Sequence, residues 1–502
     1  MKNGNFSLKA KVIDISARVD AGIVLINRKD CVDFGIKPGS NLAMHIKGKT
    51  IVAHLDITDT LIRPGEVGIF KDLASREKIE GKETIEFSLM GIGKPKSLES
   101  IQKNISGYEL NYDEMRNIVS DIVSHKLNDV AIAFFVSSSF AGQISPRELF
   151  YLTKAMAETG KKINFPGIVA DKHSIGGLCG NETTPIIVPI IASFGIYIPK
   201  TCSRAITSAS GTADTFEVLA PVSFTTEELK KIVSKTKACI VWGAGEVAPA
   251  DSIVLDVASQ LLVESYPKMV ASIIAKKVAL GVKYLVIDIP VNKDAKIKNI
   301  KEGKKLEEIF LNITRQFGIK TIVSFNPVTG PIGRGIGAAL QARDDLRVLE
   351  QAPNRPLDLE YRALELASDI LEITKAVPEG YGRRAALEAL RSGRALMKMK
   401  AIIAAQGGDP DISSDKIKLA KKTLIFKAKT AGQIKFINSS HLSEVCRILG
   451  SPFIKGAGIY LLRKMGDRVT KDEPLCTLYT QTDFRLNLAL KTLRDKPIFE
   501  IS

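Results

Sequence analysis

The sequence lacks the features that would assign it to a membrane, an export pathway or a metal site. It contains no uncharged apolar run of the roughly 18 residues that a membrane span requires. Its opening residues, MKNGNFSLKAKVIDIS, alternate polar and apolar side chains and show no apolar signal-peptide core. Its six cysteines are scattered, without a C-x-x-C pair. These absences predict a cytoplasmic protein with reduced thiols, no bound metal and no membrane partner.

Acidic residues are in the minority, since 55 Asp and Glu face 71 Lys and Arg and give a formal net charge of +16. Such an excess favours anionic partners, among them phosphate esters, nucleotides and nucleic acid. The basic residues are spread along the whole chain, without a basic tail or a basic stripe interleaved with aromatic residues. This distribution gives little support to nucleic acid, so we predict no nucleic-acid partner and keep phosphorylated small molecules as candidates.

The chain is long enough for several domains, because 502 residues exceed what one core usually supports. Short alternating runs separated by Gly, Pro and Asp predict a β-rich module over residues 1–85. Helical periodicity follows, with Asn111 and Ser145 placed as N-caps. Alternating strand-like and helical segments then indicate an α/β sheet domain, and a small mixed α+β subdomain is predicted over 421–502.

Two loops rich in glycine and hydroxyl groups follow strand-like runs. The first, VADKHSIGGLCGNETT at 169–184, offers Lys172 and the hydroxyls of Ser174, Thr183 and Thr184, the composition of an anion-binding turn. The second, KTCSRAITSASGTADTFE at 200–217, adds an arginine. Loops at the ends of neighbouring strands face one site in open α/β sheets. Alone, the first stretch could equally be a solvent-facing turn, since it matches neither the P-loop nor the dinucleotide pattern.

A third motif is ASIIAKK at 271–277, where Ser272 and Lys276 share one face of a predicted helix. An isolated pair of this kind is more often a solvated helix face than a site.

Several motifs together resemble the thymidine and pyrimidine nucleoside phosphorylase family, in the same order and spacing. They are DKHSIGG, GTAD, APAD, VESYPKMVASIIAKK and GPIGRGIGAALQARDDLRVLE, and the resemblance runs from about residue 100 to the C-terminus. Two features, the N-terminal module and the loop SRAITSASGTAD, resemble the archaeal AMP phosphorylases of this family.

The resemblance implies a multidomain α/β protein in which a helical domain faces a larger α/β domain across a cleft. The helical domain would comprise residues 100–165 plus 245–280, and the α/β domain 166–244 plus 281–420. The implied reaction is phosphorolysis of nucleoside 5′-monophosphates, in which phosphate converts AMP to adenine and ribose 1,5-bisphosphate, with CMP and UMP as further substrates. Inorganic phosphate is a co-substrate, no cofactor or metal is implied, and the family indicates a homo-oligomer, a dimer or a larger assembly of dimers.

The resemblance also assigns site residues. It places inorganic phosphate on Lys172, Ser174 and Thr184. It assigns nucleotide binding to Gly177, Ser203, Arg204, Ala205, Ile206, Thr207, Ser208, Thr212, Ser272, Lys276 and Lys296, with Thr212 also closing the phosphate site.

Two positions depart from the family pattern or stay open. Glu264 stands where the archaeal pattern has an aspartate and is one candidate proton donor, and His173 is the other. Cys202 stands at a position usually held by a phosphate-binding serine, and because a thiol is a weak donor we do not assign it to phosphate.

Alternatives remain at this stage. A nucleoside phosphorylase would gain nothing from a 5′-phosphate on its substrate. A phosphoribosyltransferase is less favoured, because no acidic cluster is placed for magnesium. A nucleic-acid-binding protein with an inactive phosphorylase-like body would bind duplexes with steep salt dependence and would not respond to AMP.

Overall fold

The structure is a computed structural model that describes residues 5–16, 22–88, 95–141, 144–176, 178–205, 208–243, 246–261, 265–293 and 295–502. Among these residues, none of the helices combines the length and apolar character that crossing a membrane would require.

The strands and helices are numbered in chain order. The strands are β1 (Asn5–Ile13), β2 (Ile23–Asn27), β3 (Asn41–Ile46), β4 (Lys49–Thr58), β5 (Glu66–Phe70), β6 (Thr84–Ser88), β7 (Ala170–Ser174), β8 (Ile198–Cys202), β9 (Ala238–Trp242), β10 (Tyr284–Val291), β11 (Lys320–Pro327), β12 (Gly335–Ile336), β13 (Lys422–Lys427), β14 (Gly432–Ile437), β15 (Gly458–Leu461), β16 (Arg468–Val469), β17 (Pro474–Thr480) and β18 (Phe499–Ile501). The helices are α1 (Arg28–Phe34), α2 (Lys71–Glu77), α3 (Lys96–Ile105), α4 (Tyr112–Val123), α5 (Asp129–Val136), α6 (Pro146–Glu158), α7 (Thr184–Ala192), α8 (Thr212–Phe216), α9 (Thr226–Thr236), α10 (Pro249–Gln260), α11 (Tyr266–Ala279), α12 (Ile300–Gln316), α13 (Ala338–Leu349), α14 (Leu357–Ile373), α15 (Gly382–Arg391), α16 (Arg394–Ala405), α17 (Ser439–Leu449) and α18 (Asp483–Asp495).

The chain divides into two compact units, each built from separate segments. One unit comprises Met1–Thr159 and Pro249–Ala271, and the other comprises Gly160–Ala248 and Ser272–Ser502. The finer domain boundaries given above stay predictions.

The first unit begins with a closed β-barrel of strand order β1-β5-β2-β4-β3-β6, so the predicted β-rich module is present. Closure leaves no open strand edge, and alternate side chains such as Met44 and Phe87 fill the interior.

Two helices of the first unit, α4 and α6, begin where the sequence predicts. Asn111 and Ser145 each form a capping box, in which the cap side chain accepts from the backbone amide of a glutamate three residues later. The carboxylate of that glutamate accepts in turn from the backbone amide of the cap residue. The predicted N-caps are therefore confirmed.

The second unit contains parallel strands flanked by helices. β7, β10 and β11 pair in the order β11-β10-β7, and β8 pairs with β9. A parallel bridge between Val169 and Tyr197 connects the two groups, so β7 and β8 run side by side. The apolar helix α7 lies in the core against this sheet, together with α14 and α16. This is the α/β arrangement that the sequence predicts.

The C-terminal part of the second unit is mixed α+β, as predicted. An antiparallel sheet has the order β12-β15-β17-β13, and a smaller one has the order β16-β14-β18. Helices α17 and α18 pack on each other and cover an apolar core of their own.

Candidate active site

Lys172 is an almost fully buried lysine on β7. It is 2% exposed, and its Nζ donates to Thr183 Oγ1 at 2.7 Å, just before helix α7. Burial lowers the pKa of Lys172 to about 8, against the opposing effect of the nearby carboxylates Asp288 and Glu182. A buried ammonium beside a helix N-terminus is suited to bind an anion.

Ser174 lies at the end of the same strand and belongs to a hydrogen-bond network around Asp288. Its hydroxyl donates to Asp288 Oδ2 at 2.8 Å, and Asn181 Nδ2 donates to the same oxygen at 3.1 Å. Arg362 binds the other oxygen of Asp288 at 2.5 Å. Burial would raise the pKa of Asp288, but Lys172 and Arg362 outweigh it and hold the pKa below its usual value.

The turn between β7 and α7 depends on glycine. Gly180 has φ +73°, and a Cβ at this position would lie 2.0 Å from the carbonyl oxygen of Ile332. Thr184, predicted to bind phosphate, is the first residue of α7 and is buried. Gly177, predicted to contact the nucleotide, lies outside the described residues.

A second group of buried lysines surrounds Asp171, which adjoins Lys172. Lys277 Nζ lies 2.6 Å from Asp171 Oδ2, and Lys200 Nζ lies 3.6 Å from Oδ1. Burial lowers the pKa of Lys277 to about 7. Sequence reasoning selected its neighbour Lys276, whose Nζ approaches Ser272 Oγ at 3.4 Å, so the Ser272–Lys276 pair does form on α11.

His173 is the candidate proton donor that the structure describes. Its Nδ1 is buried and has no hydrogen-bond partner within the described part of the chain. Burial lowers the pKa of His173 well below its ordinary value, and the surrounding lysines, Lys277, Lys200, Lys276 and Lys172, lower it further. The imidazole is therefore uncharged at neutral pH in this state.

Arg204 is engaged within the protein. Its guanidinium donates to Glu217 at 2.8 and 2.6 Å and to Asp214 at 3.0 Å. Lys455 also binds Glu217, at 2.6 Å, and the Arg204 hydrogen bonds lower the pKa of Glu217 to about 2. This arrangement fixes the loop and leaves the guanidinium committed to carboxylates, whereas the resemblance assigns Arg204 to nucleotide binding.

The other residues of the predicted nucleotide loop lie beside Arg204. The amide of Ala205 donates to Asp214 Oδ2 at 2.7 Å, and the hydroxyl of Ser208 donates to the carbonyl of Ser210 at 3.1 Å. Ser203 follows the end of β8 and is exposed, whereas Ile206 and Thr207 lie outside the described residues.

Thr212 opens helix α8 and donates its hydroxyl to Glu182 Oε1 at 2.9 Å. Glu182 is 5% exposed, and burial raises its pKa to about 7. Thr212 therefore lies beside the turn that carries Lys172 and Thr184.

The remaining predicted positions fall elsewhere. Lys296 is exposed between β10 and α12, and Glu264 lies outside the described residues. Cys202 is buried, and its thiol donates to the carbonyl of Val241 at 3.2 Å. Burial raises the pKa of Cys202 to about 12, so the group is a protonated thiol.

Three family profiles match the chain. Residues 98–160 match the helical bundle domain of a glycosyl transferase family, and 167–396 match the a/b domain of the same family. Residues 434–498 match the pyrimidine nucleoside phosphorylase C-terminal domain.

Relatives cover nearly the whole chain. An AMP phosphorylase from Thermofilum pendens is 38% identical over 478 residues, which is 95% of this chain and 92% of that protein. An AMP phosphorylase from Methanosarcina acetivorans is 38% identical over 479 residues, 95% of this chain and 94% of that protein. A Legionella pneumophila protein named "Putative thymidine phosphorylase" is 37% identical over 504 residues, 99% of this chain and 95% of that protein.

The chain belongs to the thymidine and pyrimidine nucleoside phosphorylase family. The family prediction and the multidomain α/β fold class are thereby confirmed. A solved structure of anthranilate phosphoribosyltransferase from Thermus thermophilus shares the fold, with a TM-score of 0.50 over 61% of this chain and 99% of that chain at 16% identity.

Several residues of this buried cluster were missed by sequence reasoning. Asp288 had a signal, because it is a lone charge within the apolar strand YLVIDIPV. Asp171 and Lys277 adjoin residues that were selected. The sequence around Glu182 and Arg362 does not identify them as site residues, because the groups that they bind lie on other helices and strands.

Proposed function

We propose that this chain catalyses the phosphorolysis of nucleoside 5′-monophosphates, with AMP, CMP and UMP as substrates. The observation that carries the proposal is the buried Lys172, 2% exposed beside the start of α7, in a chain that matches AMP phosphorylases over 95% of its length. Burial of an ammonium is unfavourable, and a bound anion beside Lys172 offsets part of that penalty.

Inorganic phosphate binds at Lys172, Ser174 and Thr184 in this proposal. Lys172 supplies the charge, while Ser174 and the first turn of α7 supply hydrogen-bond donors. The dianion raises the lowered pKa of Lys172 on binding and so keeps the ammonium charged. The Lys172 ammonium and these hydrogen-bond donors stabilise the charge of the bound phosphate, so the proposal includes no metal and no cofactor.

The nucleotide lies along residues 203–208, with Gly177, Thr212, Ser272, Lys276 and Lys296 as further contacts. Asp214 accepts backbone hydrogen bonds from Ala205 and Gly211, which supports a preorganised loop. A phosphate oxygen then forms a bond to C1′ of the ribose as the bond from C1′ to the base nitrogen breaks. The bond electrons leave with the base, which takes up a proton from an acid of the protein.

Glu264 is the proton donor that we propose, by its match to the family position. The state of His173 supports this choice, because an imidazole among lysines has little tendency to hold a second proton. Comparison of Glu264→Gln with His173→Ala tests the assignment. Loss of the alkaline limb of the kcat profile in His173→Ala, but not in Glu264→Gln, would reverse it.

Thymidine or pyrimidine nucleoside phosphorolysis is the second candidate, and the Legionella relative favours it by name. The discriminating assay is phosphate-dependent base release from AMP, CMP, UMP, adenosine, uridine and thymidine in parallel, with the sugar product followed by phosphorus NMR. Turnover of AMP with a ribose 1,5-bisphosphate signal supports our proposal. Turnover of uridine or thymidine alone supports the second candidate, and silence on all six refutes both and directs attention to salt-dependent nucleic-acid binding.

The setting of the enzyme is proposed from the family as well. We propose a cytoplasmic homo-oligomer, a dimer or an assembly of dimers. Sedimentation analysis of the purified chain measures its size, and a monomer that retains full activity would contradict this part.

A further inference from the structure

Glu182 and Thr212 form a hydrogen bond between two turns of the proposed phosphate site. The Thr212 hydroxyl donates to Glu182 at 2.9 Å to Oε1 and 3.2 Å to Oε2, although the residues are 30 positions apart in the chain. Glu182 directly precedes Thr183, which accepts the hydrogen bond of Lys172. Helices α7, α8 and α13 pack against one another around this point.

The hydroxyl of Thr212 has a single proton, which is committed to Glu182 in this state. Thr212 therefore cannot donate to a bound anion while Glu182 is a carboxylate. If Glu182 carries a proton, its carboxylic acid can donate to Thr212 Oγ1 instead, and the threonine proton becomes free to point elsewhere.

A second buried acid reinforces this arrangement. Asp345, on α13, is fully buried, and neither of its carboxyl oxygens has a hydrogen-bond partner within the described residues. Burial, and then the charges of Glu182 and Asp344, raise the pKa of Asp345 well above its usual value.

The charged groups that face Glu182 come from several elements. Lys172 on β7 and Lys200 on β8 favour its carboxylate, as does the Thr212 hydrogen bond, whereas Asp214 on α8 favours its protonated form. Burial outweighs the cations and raises the pKa of Glu182 to about 7, a value that a nearby dianion would raise further.

We propose that Glu182 is a positioning residue that takes up one proton from solvent when phosphate binds, and thereby turns the Thr212 hydroxyl from its own carboxylate toward the anion. The inference rests on the proposed function, since it assumes that phosphate occupies the site beside Lys172. The overall step is HPO₄²⁻ plus one proton plus free protein giving the complex. The one bond formed is the O–H bond of the Glu182 carboxyl, and Thr212 keeps its own proton.

Sulfate is the most direct probe, because it stays a dianion across the pH range in which phosphate itself titrates. Its affinity is measured by competition with phosphate and by calorimetry between pH 6.5 and 8.5. In the unmodified protein we expect sulfate affinity to fall by at most about tenfold per pH unit above the pKa of Glu182 in the free protein, and to level off toward pH 8.5, where Glu182 stays ionised in the complex. Calorimetry in buffers of different ionisation enthalpy should show proton uptake on binding.

Glu182→Gln is the matched variant, since its amide donates to Thr212 at every pH. We expect this variant to bind sulfate with a flatter pH profile and with less proton uptake than the unmodified protein. Any uptake shared by both proteins belongs to other groups, such as Lys172, so the difference between the two isolates Glu182.

Thr212→Val supplies a readout that a merely structural role would not change. We expect it to weaken sulfate binding severalfold at pH 6.5 but hardly at pH 8.5, where Glu182 already withholds the hydroxyl proton. Thr212→Ser should restore the pH 6.5 affinity. Equal proton uptake in Glu182→Gln and the unmodified protein, or a Thr212→Val effect independent of pH, would overturn the inference alone. If the unmodified protein binds neither phosphate nor sulfate, the proposed function fails together with the inference.

Discussion

Replacement of Lys172 by methionine should separate function from stability at the phosphate site. The Lys172 side chain is 2% exposed, and burial lowers its pKa to about 8, which shows that the ammonium is held against its solvation preference. Methionine fills a similar volume without a charge. Asp288, which interacts with Lys172, keeps Arg362 at 2.5 Å and the hydrogen bonds of Ser174 and Asn181. We therefore expect Lys172→Met to unfold at the same temperature as the unmodified protein, or higher.

The functional loss should be large. A hydrogen bond to a charged partner contributes about 1.5–3 kcal/mol, which corresponds to about 10- to 150-fold in affinity. The KM for phosphate in Lys172→Met should rise by at least about 10-fold, whereas the KM for AMP should change less.

The assay is the initial rate of adenine release as phosphate is varied at saturating AMP, with a thermal melt of each protein. Lys200→Met is the matched control, because Lys200 is equally buried on the neighbouring strand but donates to the carbonyl of Thr201 at 2.8 Å. A phosphate KM within threefold of the unmodified value in Lys172→Met, or an equal rise in Lys200→Met, would refute the reasoning.

Three further predictions concern pH, charge and backbone. Because the pKa of Lys172 is lowered to about 8, its ammonium is present below that pH and lost above it. The kcat/KM for phosphate should therefore fall above about pH 8, and a profile that stays flat to about pH 9.5 would contradict this. Asp171→Asn removes the carboxylate that lies 2.6 Å from the buried Lys277 ammonium. The free energy of unfolding measured in urea should fall by about 3–5 kcal/mol, and an unchanged unfolding midpoint would exclude Asp171 as a stabilising counter-ion. Gly180→Ala places a Cβ 2.0 Å from a backbone oxygen and should abolish phosphate-dependent turnover. In Gly176→Ala the new Cβ meets nothing within 4 Å, so this variant should lose only about 1–2 kcal/mol of stability for its positive φ. Equal effects of the two substitutions would show that the close approach at Gly180 is unimportant.

The starts of α4 and α6 could be predicted because the deciding interactions are local. Asn111 and Ser145 each accept from a backbone amide three residues away and are paired with a glutamate at the same spacing. Such contacts need no tertiary structure to form, so the sequence pattern is sufficient to locate them.

The loop proposed to bind phosphate was also selected from the sequence, because Lys172, Ser174 and Thr184 occur within one short segment. Their partners could not be predicted in the same way. Asp288 lies 114 positions from Ser174, and Arg362 reaches it from a further helix. Only the pairing of β7 with β10 brings these groups within hydrogen-bond distance.

Helix α11 shows most clearly which contacts sequence spacing predicts and which contacts only packing decides. Sequence spacing correctly pairs Ser272 with Lys276, since residues four apart share one helix face. Spacing gives no reason to prefer Lys277, which points about 100° away around the helix. Packing within the second unit, to which residues 272–279 of α11 belong, buries that lysine, 1% exposed, against Asp171.

Sequence by itself thus determined the family, the order of the elements and the residues that carry the local motifs. The tertiary structure decided which charges meet in the interior, including the commitment of Arg204 to Glu217 and of Thr212 to Glu182. The physical reason is that a buried charge or hydroxyl is satisfied by whichever group the fold brings within about 3 Å, and that distance bears no relation to separation along the chain.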